Sequence, residues 1–423
     1  MGTLIQGGRV IDPANQIDGV MDLYIADGVI VGTGRSPAGF SPDTIIDARG
    51  QIVIPGLVDL RARLREPGQE FKATIASETK AAAASGITTL CVTPDTQPAV
   101  DTPAVVEMIN QRAAASNMAR VHVIGALTQG LAGSQISEML ALKEVGCVGV
   151  SNALAPITNS LVMRRAMEYA ASHDLTVFLH AEDAWLRGNG CAHEGPMSTR
   201  MGLAGIPEIA ETIAVARDLA LAERAGARVH FCGLSSARSV RMIARARYDG
   251  LPATADVTAH HLHLTEVDLG EFNSACHVRP PLRTHRDRDG LRHGLALKNI
   301  DAICSDHQPH DVDAKNGPFS STEPGISGLE TLLPLTLRLV DDGLIPLSDA
   351  IARLTCDPAR ILGVAAGTLG VGATADICIF DPNQEWEFSA ARMVSHGRNT
   401  PFDRWVFKGR VTHTLLGGRR VYG

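Results

Sequence analysis

Long hydrophobic runs, basic tracts and paired cysteines are all missing from this 423-residue chain, and each absence removes a class of function. No apolar stretch approaches the roughly 18 residues that a membrane-spanning helix requires. The opening MGTLIQGGRV has no charged segment followed by an apolar one, so it does not read as a secretion signal, and Gln6 stands where myristoylation at Gly2 would want Ser or Thr. These features predict a cytoplasmic protein. The net charge of −7 comes without any Lys/Arg run, which argues against nucleic acid or a membrane surface as a partner. The eight cysteines lie far apart with no CxxC pair. Cys91, Cys232 and Cys304 fall within apolar runs, as buried reduced thiols do. No GxGxxG opens the first helix, and neither repeats nor low-complexity linkers interrupt the chain.

What is present is an alternation. Eight short, almost continuously apolar runs follow one another: QIVIPGLVDL, GITTLCVT, RVHVIGAL, GCVGVS, TVFLHAE, RVHFCGLS, ATADVTAHHL and IDAICSD. Such runs suit strands buried on both faces. Helical segments separate them, for example KATIASETKAAAASG, SLVMRRAMEYAASHD and IPEIAETIAVARDLALAERAG, the first and last stopping at Gly86 and Gly226. Eight β-then-α units predict an α/β protein with a (β/α)₈ barrel over residues 55–364. Residues 1–54 and 365–423 are β-rich with glycine turns, and together they are expected to form one small β-sandwich. The stretch 310–328 follows the eighth strand and reads as a long mobile loop over the face where such barrels keep their sites.

The strand ends supply the candidate site residues: Arg61 and Arg63, Asp95, Asn152 or Ala153, His180, Gly233, Arg279 and Asp306, with His310 close behind. A hydrolytic metal centre needs several His or carboxylate ligands converging there. Only His180 and Asp306 qualify. A guanidinium is protonated at any working pH and cannot ligate a cation. Asp306 without a metal would be a costly buried carboxylate, so Arg61 or Arg63 is expected to pair with it through a bidentate contact. His180 is then read as a satisfied core histidine. RTHRDRDGLRHG reads as solvated surface, and no activated Ser or Cys nucleophile motif is apparent.

Over essentially its whole length the chain resembles the class I dihydroorotases of the amidohydrolase superfamily. In that family the first strand ends in His-x-His followed by LREPG; here DLRARLREPG keeps the frame and carries Arg61 and Arg63 instead. The resemblance implies that Asn152 or Ala153 replaces a metal-bridging aspartate, and that Gly233 replaces the sixth-strand histidine. It implies that His180 and Asp306 are the two of six ligand positions that remain. Arg65 matches the substrate-carboxylate arginine and His310 a substrate contact, whereas Asp95 and Arg279 stand where substrate-binding asparagines belong. His260, His261 and His263 of AHHLHL match a structural seventh-strand segment. These positions are thus read as vestigial: no catalytic residue, no metal and no cofactor. The expected function is that of a non-catalytic homologue, one that assembles with and stabilises the catalytic chain of aspartate carbamoyltransferase in a hetero-oligomer with self-association. The alternative is a metal-dependent cyclic amide hydrolase with a degenerate site.

Overall fold

The computed structural model describes residues 2–423. Each of the eight apolar runs contains a strand: Leu57–Ala62, Ile87–Val92, Arg120–Ala126, Cys147–Ser151, Thr176–Leu179, Val229–Phe231, Ala253–Thr258 and Ala302–Cys304. They pair in parallel in that order. The barrel closes where Ala62 bridges His307 and the Arg63 amide donates to the His307 carbonyl at 2.8 Å. The helices begin and end where local chemistry dictates. Thr74 and Ser77 form a reciprocal capping box at the start of Ile75–Ala84, and Ile209–Ala225 stops at Gly226 in the left-handed conformation (φ 64°).

The first run differs from expectation: it holds two strands, not one. Ile52–Pro55 joins a second eight-stranded sheet, running parallel to Gly2–Asp12 and antiparallel to Ile377–Glu387. Leu57–Ala62 belongs to the barrel. Gly56 is the crossing point, and a Cβ there would lie 2.1 Å from the Thr88 hydroxyl, so only glycine lets the chain pass that close. The second sheet collects strands from both chain ends around Ile5, Val10, Leu23, Val53, Ile377 and Leu415. Asp376 ties it to the barrel, accepting from Arg120 Nε at 2.8 Å and from the Gly417 amide at 2.7 Å.

Two further expectations are corrected. Residues 310–328 are tied down rather than mobile. They form two short 3₁₀ turns, Asp313–Lys315 and Phe319–Ser321, with Phe319 buried. Lys315 Nζ donates to the carbonyls of Ser274 (3.1 Å), His277 (3.2 Å) and Glu323 (2.7 Å). The AHHLHL histidines do not continue the seventh strand, which ends at Thr258 and gives way to a 3₁₀ turn, His260–Leu262. All eight cysteines are free thiols, seven of them buried. Among the described residues no helix is long and apolar enough to cross a membrane.

Gly56→Ala is expected to lower stability by about 1–3 kcal/mol, the usual cost of forcing a methyl group into a filled space. Urea denaturation of the two proteins side by side measures it.

Candidate functional site at the barrel mouth

Arg61 lies in the first strand and Arg63 just beyond its end, and their guanidiniums converge on the same carboxylate. Both meet Asp306, which follows the eighth strand with φ 44°. All three side chains are almost fully buried, at 7%, 4% and 5% exposure. Arg61 Nε lies 2.8 Å from Asp306 Oδ1, although its N–H is not aligned on that oxygen. Arg63 Nη1 donates to the same Oδ1 at 3.0 Å, and Gln308 Nε2 donates to Oδ2 at 3.0 Å. The expected contact therefore forms, but through one shared oxygen rather than a bidentate fork. Arg63 reaches further, its Nε donating to Asp95 Oδ2 at 2.7 Å, while the Thr93 hydroxyl donates to the other Asp95 oxygen. Burial pushes the Asp95 pKa up, yet the charge of Arg63 and these hydrogen bonds more than offset it and hold it below the ordinary carboxylate value. The result is an alternating row of buried charges: Arg61, Asp306, Arg63, Asp95.

Arg61 also fills the space beside the sixth strand. A Cβ built on Gly233 would lie 2.4 Å from Arg61 Nη2, and Gly233 has φ 61°. Nη2 faces the Cys304 sulfur at 3.9 Å. Asp256, on the seventh strand, takes the Gly233 amide at 2.6 Å, His230 Nε2 at 2.9 Å and the Cys304 thiol at 3.3 Å. His230, Cys232 and Asp256 bring three donor atoms within 4.8 Å of one another, a spacing that could suit a metal ion. The chemistry there opposes one. His230 has both nitrogens in hydrogen bonds, to Asp256 and to the Thr254 hydroxyl at 2.8 Å. Burial pushes the Cys232 thiol pKa far up, and the Arg61 guanidinium already supplies the positive charge.

His180 and Arg279 meet through Glu182. Arg279 Nε donates to Glu182 Oε2 at 2.8 Å and Nη2 to the Leu154 carbonyl at 2.9 Å; Arg187 Nε approaches the same Oε2 at 3.2 Å. His180 Nε2 stops 3.9 Å short of Glu182 and has no hydrogen-bond partner, so the reading of a satisfied core histidine is not met. Burial first, then the charges of Arg279, Arg61, Arg63 and Arg187, hold His180 neutral. Arg65 (φ 63°) donates to the Pro309 carbonyl at 2.9 Å and to Gln69 at 3.2 Å, with burial and Arg63 lowering its pKa to about 10. His310 donates from Nε2 to the Pro324 carbonyl at 3.0 Å and accepts at Nδ1 from Lys72 at 3.4 Å. Lys72 in turn pairs with Glu323 at 2.5 Å. Asn152 is turned away from the charge row. It accepts from Thr128 at 2.7 Å and donates to the carbonyls of Leu131 and Ala155 at 3.1 and 3.0 Å, a loop anchor with no free polar atom.

The mouth thus gathers Arg61, Arg63, Asp95, Gly233 and Asp306 in one cluster, His180 and Arg279 in a second around Glu182, and Arg65 with His310 in a third. Glu182, Asp256, His230, Gln308 and Lys72 were not singled out from the sequence. Glu182, two residues beyond His180 in FLHAED, and Gln308, two residues beyond Asp306, carried a signal by position.

A closed parallel barrel flanked by a β-sheet of both chain ends is the amidohydrolase architecture. It superposes on the L-hydantoinase (dihydropyrimidinase) of Arthrobacter aurescens with a TM-score of 0.89 at 22% identity, covering 99% of this chain and 96% of that one. A D-hydantoinase matches with a TM-score of 0.87 at 24% identity, covering 100% and 95%. At the sequence level, residues 50–239 match a family model described as dihydro-orotase-like, and residues 326–422 match the amidohydrolase family. A dihydroorotase-like protein of Pseudomonas aeruginosa is 50% identical over 99% of both chains. A dihydroorotase of Geobacter is 43% identical over 100% of this chain and 99% of that one. The chain belongs to the dihydroorotase-like amidohydrolase family. The metal chemistry associated with that family does not fit the residues present: two guanidiniums bind the carboxylate a cation would need, and Gly233, just past the sixth strand, has no side chain to offer.

Arg63→Met is expected to cost about 3–5 kcal/mol by stranding Asp95 and leaving Asp306 to Arg61 alone, and adding Asp95→Asn to the same chain should recover part of it. Urea denaturation of the single and double variants checks this. Acid sensitivity follows from the buried imidazoles. Burial holds His180 and His260 far below the ordinary value, His261, His263 and His277 at about 4, and His310 at about 2. Unfolded imidazoles take up protons as pH falls below about 6.5, while the folded ones do not. Their stabilising contribution is therefore full above about pH 6.5 and declines as pH falls toward 4, by up to ~1.4 kcal/mol per pH unit for each histidine. Denaturant midpoints measured from pH 8 to pH 5 should decline from the neutral side, before ordinary carboxylates begin to titrate.

Proposed function

We propose that this chain is a non-catalytic dihydroorotase-like subunit that scaffolds or stabilises aspartate carbamoyltransferase in pyrimidine biosynthesis. One observation carries the reading: Asp306, the residue that would serve as metal ligand and base, is engaged by Arg61 and Arg63 at 2.8 and 3.0 Å. Hydrolysis of a cyclic amide by this family's route needs a cation that lowers the pKa of a bound water. Two fixed positive charges beside that carboxylate repel such a cation and donate where it would accept. The frame around them is retained: LREPG, His180, Arg65 and His310 all stand in their places. A fold preserved around a blocked centre fits selection for something other than turnover, and an oligomeric partner is the role that keeps a whole surface in use.

The competing reading is a metal-dependent cyclic amide hydrolase, and the relatives named dihydroorotase keep it in view. Elemental analysis after purification with zinc, paired with a dihydroorotate hydrolysis assay, separates the two. The proposal expects less than about 0.1 zinc per chain and no turnover above background, together with co-elution of the chain with purified aspartate carbamoyltransferase catalytic chain from the same organism. Stoichiometric zinc with turnover would overturn it, as would failure of the two chains to associate.

A further inference from the structure

The outer helices Ile209–Ala225 and Ala237–Tyr248 leave a cleft of about 820 Å³ between them. Its floor is apolar, made by Leu219, Met242 and Leu251. One wall is a stripe of arginines at 238, 241 and 245, the i, i+3, i+7 spacing that places them on a single helix face. Arg245 is engaged locally, with Asp249 at 2.8 Å and the Tyr248 ring at 5.4 Å. The guanidiniums of Arg238 and Arg241 are exposed and form no hydrogen bond or ion pair with any described residue. A second cleft of about 690 Å³ shares Leu251 and Pro252 with the first. Together the two are lined by seven Arg or Lys side chains against three Asp or Glu, in a chain whose net charge is −7.

We infer that this cleft is a docking site for an acidic-rimmed, apolar-centred face of a partner protein, and, resting on the reading above, that the partner is the aspartate carbamoyltransferase catalytic chain. The composition is that of an interface core. Arginine, methionine and tyrosine are enriched at such contacts and lysine is depleted, and the helix here carries four arginines and no lysine. Tyr248 is 83% exposed at its end. Two unpaired guanidiniums beside an apolar floor need carboxylates opposite them and a hydrophobic side chain between. Nucleic acid suits the cleft less well, because an apolar floor does not match a sugar–phosphate strand and the chain as a whole repels a polyanion.

The test is affinity between the full chain and the purified transferase catalytic chain, measured for wild type, for the double charge reversal R238E/R241E and for R404E, an exposed reversal elsewhere. Circular dichroism and the urea midpoint establish that the folded state is retained, which substitution of exposed side chains should not disturb. The inference expects Kd to rise roughly tenfold or more in R238E/R241E, the wild-type Kd to weaken with added salt, and that salt dependence to be reduced in the variant, with R404E unchanged. Wild-type affinity in R238E/R241E would overturn the docking site while leaving the scaffold reading in place. Absence of binding by the wild type would overturn both. Duplex DNA bound by the wild type and not by R238E/R241E would reassign the cleft to nucleic acid.

Discussion

Everything at the barrel mouth depends on how one buried carboxylate is neutralised. Asp306 is buried, and an unpaired charge there would cost several kcal/mol. A single guanidinium could balance it, yet two are present, and two like charges on one oxygen oppose each other. The row works because Arg63 has a second carboxylate in Asp95 and Arg61 has Asp256 nearby. Positive and negative groups alternate across strands one, two, seven and eight. The neutral imidazoles of His180 and His260 follow from the same field: burial and the arginines together leave a protonated histidine no place there.

Arg61 and Gly233 form a reciprocal pair. The guanidinium occupies the volume that any side chain at 233 would enter, and the left-handed φ of Gly233 disfavours a side chain independently. A histidine at 233 would collide with Arg61, and a smaller side chain at 61 would leave the space beside Gly233 unfilled. A change at either position therefore calls for a compensating change at the other. Such coupling makes the guanidinium arrangement self-consistent: neither residue can change without disturbing the other.

The legibility of these features in the sequence follows their physics. Buried parallel strands leave continuous apolar runs, so all eight were visible, as were the caps at Gly86 and Gly226. The break at Gly56 was not, because Pro-Gly inside an unbroken apolar run looks the same whether the chain continues in one sheet or crosses to another; Thr88 decides it from a distance. The Arg61–Asp306 contact was legible from charge alone, since a buried carboxylate must find a cation. Its geometry was not: which oxygen is shared, and that Arg63 is drawn aside by Asp95, depend on positions more than thirty residues apart. Likewise 310–328 has loop composition, and nothing local reveals that Lys315 fastens it to the Ser274 and His277 carbonyls of a neighbouring segment.

The three clusters leave little polar capacity at the mouth for anything else. Arg65, Arg279, Lys72 and Asn152, the groups best suited to seize a small anionic substrate, already hold Pro309, Glu182, Glu323 and the 128–155 loop. Binding a ligand there would mean breaking existing hydrogen bonds and ion pairs before any new contact formed. The outer surface carries the opposite situation. Arg238 and Arg241 stand unpaired over an apolar floor, and a contact made there displaces only water. Free energy for association is therefore available on the outer surface at Arg238 and Arg241, where no described residue competes for the guanidiniums.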